Sequence, residues 1–295
     1  MASIKECFKS RFPGGKIIEI DFSQLEVIGA AIISGDKMMK KDILDGVDSH
    51  SQSAAWLNPK YTYEGIRNGY LNEDPKFTKM RKNAKAPRFE LQYGAGAKSI
   101  AENNNITVEA AQGFIDAYYA RYKDLKLFQD DVKYLVELSA EPSGFYSKVT
   151  GAPYMRGQYV SCTGRRYTFL EQDAPEFMRK KGTMTSFSPT QMKNYPIQGF
   201  ATGDIVPHML GVVHSTVHDT SRASSYKCLP INTIHDAILF DCGGDIDYWC
   251  SKLKFVLENT PFYIHHHFGV DIDLPMSVDV EIGDNWEEMK KWKSC

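Results

Sequence analysis

The fold is decided first by one short segment, residues 16–26, which reads KIIEIDFSQLE. Its first half is rich in isoleucine and predicts a strand from Lys16 to Asp21. Residues 24–34 are apolar and contain alanines, and Gly35 follows them, a pattern that predicts a helix. Asp21 is therefore expected at the end of a strand, just before a helix begins.

A second aspartate is expected in a comparable place near the other end of the chain. Residues 229–241 read LPINTIHDAILFD and predict two strands joined by a tight turn at His235-Asp236. An aspartate at a strand end is usually a turn former, and that interpretation is sufficient for either residue alone. Taken together, Asp21 and Asp236 also form the kind of oxygen-ligand pair that holds Mg²⁺.

Between these segments, four side chains recur at intervals of four residues. They are Arg81, Lys85, Phe89 and Tyr93, and Gly94 follows. Because four residues turn an α-helix through about 400°, the side chains are expected to form one slowly drifting stripe. Two cations followed by two aromatic rings suit a ligand with a phosphate chain and a flat base. An ordinary amphipathic helix with a charged end and a core end is the alternative.

The rest of the chain predicts more helix than strand, in the order strand, helices, paired strands, which is an α+β arrangement and not alternating βαβ units. Helices are expected from about Asp48, over 79–101 with a break at 94–96, over 107–119, 125–140 and 194–217, and from Asp245 to about 259. Residues 159–170 predict a hairpin, and 276–282 predict a last strand. Residues 59–76 are expected to be loop-rich, 143–191 mostly irregular, and 265–267 a structural strand or turn.

The composition is that of a globular protein without overall basic character. Hydrophobic residues make up 42% of the 295 residues, and 35 Lys and Arg against 37 Asp and Glu give a net charge of −2. That balance differs from a typical nucleic-acid-binding protein and fits an enzyme with a small-molecule substrate. A local basic groove, or basic surface supplied by a partner, is the alternative. The cysteines form no C-x-x-C pair, and the sequence shows neither a secretory leader nor an apolar run of membrane-spanning length. These features predict that the cysteines are reduced thiols in the cytoplasm.

The three segments, in this order, resemble motifs A, B and C of the family A (DNA polymerase I-like) DNA polymerases. The middle segment has the family's R-x3-K-x3-F-x3-Y-G spacing, and residues 283–286, GDNW, resemble its C-terminal ending. The resemblance covers nearly the whole chain and implies a phage-like polymerase. It implies a palm, an antiparallel sheet with helices, from residues 1–35 and 141–295, and a helical fingers subdomain from residues 36–140, with thumb and exonuclease domains absent.

The resemblance also implies the residues of a nucleotidyl-transfer site. Asp21 and Asp236, with the backbone carbonyl of Phe22, would hold two Mg²⁺ ions, for which Mn²⁺ can substitute. Lys85 would act in catalysis by protonating the leaving pyrophosphate. The implied dNTP-binding residues are Arg81, Lys85, Phe89, Tyr93, Glu26, His50 and Gln24, with Glu26 excluding a ribose 2′-hydroxyl. The implied DNA-binding residues are Gln198, Asn194, Arg165, Gly94 and His235.

Two positions depart from the family's pattern. Ala237 stands where many relatives have a glutamate in motif C, and altered metal affinity is expected from the missing carboxylate. Pro87 lies inside the expected motif B helix, where a proline removes one hydrogen bond and costs about 3 kcal/mol. A kink at Pro87, with altered closure of the fingers, is expected.

The expected function is template-directed DNA synthesis, with primer–template DNA and dNTPs as partners. Because the chain starts just before motif A, we expect the C-terminal subunit of a split polymerase, paired with a second polypeptide that carries thumb and 3′–5′ exonuclease domains. A stand-alone distributive gap-filling polymerase and a non-catalytic nucleotide- or primer-binding module are the alternatives. The expected location is the cytoplasm, that of a host cell if the source is viral, with no membrane partner.

Overall fold

The computed structural model describes residues 3–223 and 227–293. The chain divides into two compact units, one of residues 1–29 with 198–295 and one of residues 30–197. Residues 141–197, which the sequence predicts to be palm, belong to the second unit. The assignment of palm and fingers to residue ranges stays a prediction, and its end points at residues 1 and 295 lie outside the described residues. The predicted reduced thiol of Cys295 also lies outside them.

The strands are antiparallel throughout. The first unit contains a five-stranded sheet with the order β10-β9-β1-β8-β7, and the second contains the sheet β2-β3-β4 and the pair β5-β6. In chain order the strands are β1 (Lys16–Phe22), β2 (Glu141–Tyr146), β3 (Pro153–Val160), β4 (Arg166–Leu170), β5 (Gln172–Asp173), β6 (Thr185–Ser186), β7 (Lys227–Ile234), β8 (Ala237–Gly243), β9 (Val278–Gly283) and β10 (Lys290–Lys291).

Helices supply most of the second unit and one layer of the first. In chain order they are α1 (Leu25–Ser34), α2 (Lys37–Leu44), α3 (Ser49–Leu57), α4 (Tyr63–Leu71), α5 (Pro75–Asn83), α6 (Lys85–Gln92), α7 (Ala97–Asn104), α8 (Val108–Arg121), α9 (Lys123–Leu138), α10 (Glu176–Arg179), α11 (Pro189–Gln198), α12 (Val206–Ala223), α13 (Ile246–Glu258) and α14 (Thr260–Phe268). A π-helical segment, Gly199–Ile205, joins α11 to α12. Among the described residues, no helix is both long and apolar enough to cross a membrane.

The sheet of the first unit is central to its core. Strand β1 lies in the middle of the sheet with Ile17, Ile18 and Ile20 fully buried, and β8 is buried along its whole length. Helix α13 lies against this sheet and buries Trp249 and Leu253. The α+β class is confirmed, and a rigidly packed central strand fixes where Asp21 emerges.

Most predicted elements of the first unit are present. The strand at 16–21, the hairpin across His235-Asp236, the helix capped by Asp245 and the last long strand are confirmed. The prediction for residues 265–267 is wrong, because these histidines lie in α14. The long helix expected over 194–217 is interrupted by the π-helical segment, which ends before Pro207.

The second unit departs further from the predictions. Residues 59–76 form α4 and the start of α5 instead of loop, because Thr62 and Asp74 cap these helices and Pro75 occupies the first helical turn. Residues 143–191 contain more regular structure than the one predicted hairpin, although that hairpin is confirmed as β3 and β4. The helix capped by Thr107 is also confirmed.

Candidate functional site

Asp21 and Asp236 lie at the same end of the five-stranded sheet, within the first unit. The register of β1 and β8 pairs Asp21 with Ala237, the residue that follows Asp236. His235 and Asp236 form a two-residue turn between cross-strand partners Ile234 and Ala237. The two aspartates that the sequence singled out are therefore neighbours in the fold.

The turn itself depends on His235. Its backbone has φ of 54°, in the left-handed region that two-residue hairpin turns use. A non-glycine residue is uncommon there, and the side chain of His235 is exposed. Its predicted contact with DNA stays a prediction.

The two carboxylates repel each other. Burial is the largest cause that raises the pKa of Asp21 to about 6, followed by the charge of Asp236 and a hydrogen bond with it. Glu19 and Asp279 add further negative charge. Carboxylates that cannot both ionise easily are stabilised when a cation replaces the proton. This donor set therefore fits a hard divalent cation such as Mg²⁺.

Other ligands of such an ion would have to come from backbone, water or substrate. Within residues 3–223 and 227–293, no group of three or more His, Cys, Asp or Glu side chains is placed to hold a metal. Asp279 is the cross-strand partner of Asp21 on β9, but its carboxylate accepts hydrogen bonds from Lys291 and Ser23. The backbone carbonyl of Phe22 stays a predicted ligand.

The cationic residues of the middle segment lie on two helices instead of one. Arg81 is in the last turn of α5, Lys85 begins α6, and Tyr93 immediately follows α6. The break falls at Ala84, three residues before Pro87, because proline has no N–H to donate and its ring opposes a continuous helix. The prediction of one continuous helix kinked at Pro87 is wrong at this point, because the helix divides at Ala84 and Pro87 lies in the first turn of α6, where a proline is tolerated.

Arg81 is held in place by an ion pair. Its Nε donates to Asp48 Oδ2 at 2.7 Å and its Nη2 to Oδ1 at 3.1 Å. The guanidinium also lies over the ring of Tyr70, with 4.4 Å between its carbon and the ring centroid. Burial alone raises the pKa of Asp48, but hydrogen bonds from Arg81 and Ser51 and the charges of Arg81 and Arg67 lower it to about 2.

His50 lies among the same cations. Burial is the largest cause that lowers the pKa of His50 to about 4, followed by the charges of Arg81, Arg88 and Lys85 in that order, while Asp48 opposes them. Its ring centroid is 6.1 Å from that of Phe89. The imidazole is therefore neutral at physiological pH and lies beside the aromatic part of the predicted stripe.

Arg88 was missed by the sequence analysis. The residue is only 4% exposed, and its Nη1 has no hydrogen-bond partner among the described residues. Its guanidinium carbon lies 5.7 Å from the ring centroid of Tyr118. A buried cation of this kind costs free energy, and only its position beside the stripe could have drawn attention to it.

The backbone of the second unit explains why position 94 is a glycine. Its φ is 84°, and a Cβ atom there would come within 3.0 Å of Thr190 Cα. Only glycine meets both conditions without strain. The predicted contact between Gly94 and a template base stays a prediction, as does the template-side role of Tyr93, whose side chain is 37% exposed.

The other predicted residues are spread over both units. Gln24, with φ of 56°, and Glu26, in the first turn of α1, follow Asp21 closely. Asn194 is buried on α11, one helical turn before Gln198. Arg165 lies in the exposed turn between β3 and β4. The roles of these residues in binding nucleotide or DNA stay predictions.

Comparisons with known proteins agree on one family. The family model of DNA polymerase family A matches residues 1–288. DNA polymerase I of Geobacillus stearothermophilus is 23% identical over 288 residues, which cover 97% of this chain and 28% of that protein. The thermostable DNA polymerase I of Thermus filiformis is 22% identical over 290 residues, again covering 28% of its own length. The chain thus spans about a quarter of these relatives.

A solved structure shares the fold. The POL domain of Pol1 from M. smegmatis, in complex with a DNA primer–template and dNTP, matches 97% of this chain and 42% of its own chain. The TM-score is 0.62 at 19% sequence identity.

Proposed function

Because this chain belongs to DNA polymerase family A, we propose that it catalyses template-directed addition of deoxynucleotides to the 3′-hydroxyl of a DNA primer. One observation carries the proposal: Asp21 and Asp236 meet at the end of two paired strands, where burial, followed by the charge of Asp236, raises the pKa of Asp21 to about 6. The two negative charges of such a carboxylate pair are stabilised more by two divalent cations than by water.

Asp21 and Asp236 would hold the ions, together with the backbone carbonyl of Phe22. When bound, divalent cations lower the pKa of an attacking hydroxyl and stabilise charge on a leaving pyrophosphate. The role of the protein is to hold one carboxylate on a central strand and the other in the tight turn that follows a paired strand, so that the ligands need little rearrangement. The central position of β1 and the complete burial of β8 support that rigidity.

The cations of the second unit would bind the triphosphate. Arg81 offers a fixed guanidinium that suits phosphate oxygens, and Lys85, exposed at the start of α6, offers a mobile charge that can also donate a proton to the pyrophosphate. His50 is neutral and can donate or accept one hydrogen bond. Phe89, 45% exposed, offers a ring to the incoming sugar and base.

Discrimination against ribonucleotides is assigned to Glu26, whose side chain would meet a 2′-hydroxyl. Contacts with the primer–template are assigned to Asn194 and Gln198, because amide side chains can bond to minor-groove acceptors that are similarly placed in every base pair. A second polypeptide with thumb and exonuclease domains stays part of the proposal, and co-purification with this chain tests it.

The proposal is tested by comparing synthesis with binding. Asp236→Asn keeps the size of the side chain but removes a charge, so we expect primer extension to fall by about a thousandfold or more. Binding of a fluorescent primer–template, measured by anisotropy, should stay within about threefold of the wild type. Equal extension by wild type and Asp236→Asn would contradict the catalytic role and favour a binding module.

A further inference from the structure

We propose that Asp48 is a positioning residue for the incoming triphosphate, which it serves by holding the guanidinium of Arg81 in one orientation. The inference rests on the proposed function, because it assumes that Arg81 binds phosphate oxygens. Asp48 lies 33 residues before Arg81 in the chain, at the position that precedes α3.

The geometry leaves Arg81 able to bind a second anion. A guanidinium has five N–H groups, and the pair with Asp48 uses one on Nε and one on Nη2. The Nη1 edge and the second N–H of Nη2 point away from a carboxylate bound in this way. An arginine can therefore bond to Asp48 with one side of its fork and to a phosphate with the other.

Asp48 is itself firmly held. Its side chain is 9% exposed, Ser51 donates a hydrogen bond to Oδ2, and Arg67 Nη1 lies 3.4 Å from the same atom. The backbone N–H of Asp48 donates to the hydroxyl of Tyr63 at 3.2 Å. With Tyr70 on the other side of the guanidinium, Arg81 is restrained from two directions.

Such restraint favours binding, because a free arginine side chain loses rotamer entropy when it binds a ligand. The charge of Asp48 acts in the opposite sense, because it repels a triphosphate. Positioning and charge therefore predict opposite results for Asp48→Asn. If positioning dominates, triphosphate binds more weakly to the variant, and if charge dominates, it binds more tightly.

The chain offers a matched control in the same unit. Asp42 accepts hydrogen bonds from Nε and Nη2 of Arg121 at 2.6 and 2.5 Å, and its side chain is also 9% exposed. Asp42 and Arg121 lie on α2 and α8 and are not part of the predicted triphosphate site. Asp42→Asn therefore reproduces the loss of a carboxylate–arginine pair without touching Arg81.

The experiment measures equilibrium binding of dATP, and separately of inorganic tripolyphosphate, to the full chain with Mg²⁺ present, by isothermal titration calorimetry. We expect Asp48→Asn to weaken both by about tenfold, as loss of one charge-assisted contact would, and Asp42→Asn to leave both unchanged. Urea unfolding should show comparable destabilisation of the two variants. Arg81→Lys, which cannot form the fork, should also weaken binding.

A double variant shows whether Asp48 acts through Arg81. If it does, Asp48→Asn combined with Arg81→Lys should bind no more weakly than Arg81→Lys alone. Additive losses of affinity in the double variant would overturn the inference. Unchanged or tighter binding by Asp48→Asn, when Arg81→Lys binds weakly, would also overturn it. Either result would leave the proposed function standing. No loss with Arg81→Lys, or no triphosphate binding by the wild type, would overturn the triphosphate site itself and with it the inference.

Discussion

Single residues in the second unit take their properties from neighbours that are distant in sequence. Burial and then the charges of Arg81, Arg88 and Lys85 lower the pKa of His50, so the imidazole is neutral at physiological pH. Asp48 balances part of this positive charge by direct contact with Arg81. An excess of positive charge next to an exposed aromatic ring, Phe89, is the electrostatic setting that a nucleoside triphosphate requires.

The aromatic ring at position 89 allows a test of its assignment. Phe89→Tyr adds one hydroxyl to the exposed side chain, and that hydroxyl can replace the hydrogen bond lost with a missing 3′-hydroxyl. We expect the variant to incorporate dideoxynucleotides at least about tenfold more readily relative to dNTPs. The ratio is measured in competitive primer extension, and an unchanged ratio would count against the assignment of Phe89 to the sugar.

Arg88 gives a prediction about stability. Methionine keeps the apolar stem but removes a buried charge that has no hydrogen-bond partner for Nη1 among the described residues. We expect Arg88→Met to change the free energy of unfolding by less than about 1 kcal/mol or to raise it, the lost contact with Tyr118 being small. Arg121→Met removes the guanidinium that pairs with Asp42 and leaves that carboxylate its hydrogen bond from Tyr122, so it should lower the free energy of unfolding by about 2 to 3 kcal/mol. Urea unfolding that shows equal losses would contradict this account of Arg88.

The neutral state of His50 predicts how stability depends on pH. The pKa of His50 is about 4 in the folded chain, against 6.5 for an unperturbed histidine. Between these values the unfolded chain binds a proton that the folded chain does not, so the free energy of unfolding falls as pH is lowered from 6.5 to 4. His50→Gln should reduce that slope in urea titrations at several pH values, and an identical slope would be inconsistent with the depressed pKa.

At this scale the spacing of four groups the stripe, and the resemblance to motifs A and C singles out Asp21 and Asp236. It could not identify Asp48 or Arg88. The pair between Asp48 and Arg81 joins residues from two helices, and nothing in local periodicity specifies which helices meet. Arg88 likewise lies against Tyr118, on α8. Its burial was not predictable, because a charged residue in a polar stretch of helix is usually exposed to solvent.

At the scale of elements, Pro87 determines how the middle segment is built. The proline splits one helix into α5 and α6, with the break at Ala84. Arg81 is thereby placed on one helix, and Lys85 and Phe89 on the next. Relative movement of α5 and α6 would change the spacing between the cations and the ring.

Replacement of the proline tests this idea. Pro87→Ala restores an N–H and removes the ring, so α5 and α6 can merge into one helix. We expect dNTP affinity and turnover to change by about threefold or more, without loss of activity. Single-turnover primer extension over a range of dNTP concentrations measures both, and values equal to those of the wild type would remove any role for the break.

Element predictions succeeded where the periodicity was strong. The hairpin of β7 and β8 was predictable because apolar strands flank a two-residue polar turn, and α13 because Asp245 caps an apolar-periodic run. Helix α4 and the start of α5 were missed because Gly65, Gly69 and Pro75 suggest loop. Proline in a first turn is compatible with a helix, and capping by Thr62 and Asp74 compensates for weak propensity.

At the scale of the whole molecule, the two ends of the chain combine in one unit. Residues 1–29 and 198–295 form the sheet that carries both carboxylates, and residues 30–197 form the unit that carries the cations. The carboxylate pair therefore exists only when distant parts of the chain have folded together. The order of motifs predicted this pairing, whereas the membership of residues 141–197 could not be predicted, because their strands pair only with one another.

In the function proposed above, this chain selects a deoxynucleotide by its template and joins it to a primer. The most direct measurement is single-nucleotide primer extension on four templates that differ in the first unpaired base, with each dNTP and each rNTP supplied alone in Mg²⁺. We expect the wild type to add only the complementary dNTP on each template, and Asp236→Asn to add none. Extension that does not follow the template, or no extension by a folded wild-type chain, would contradict it.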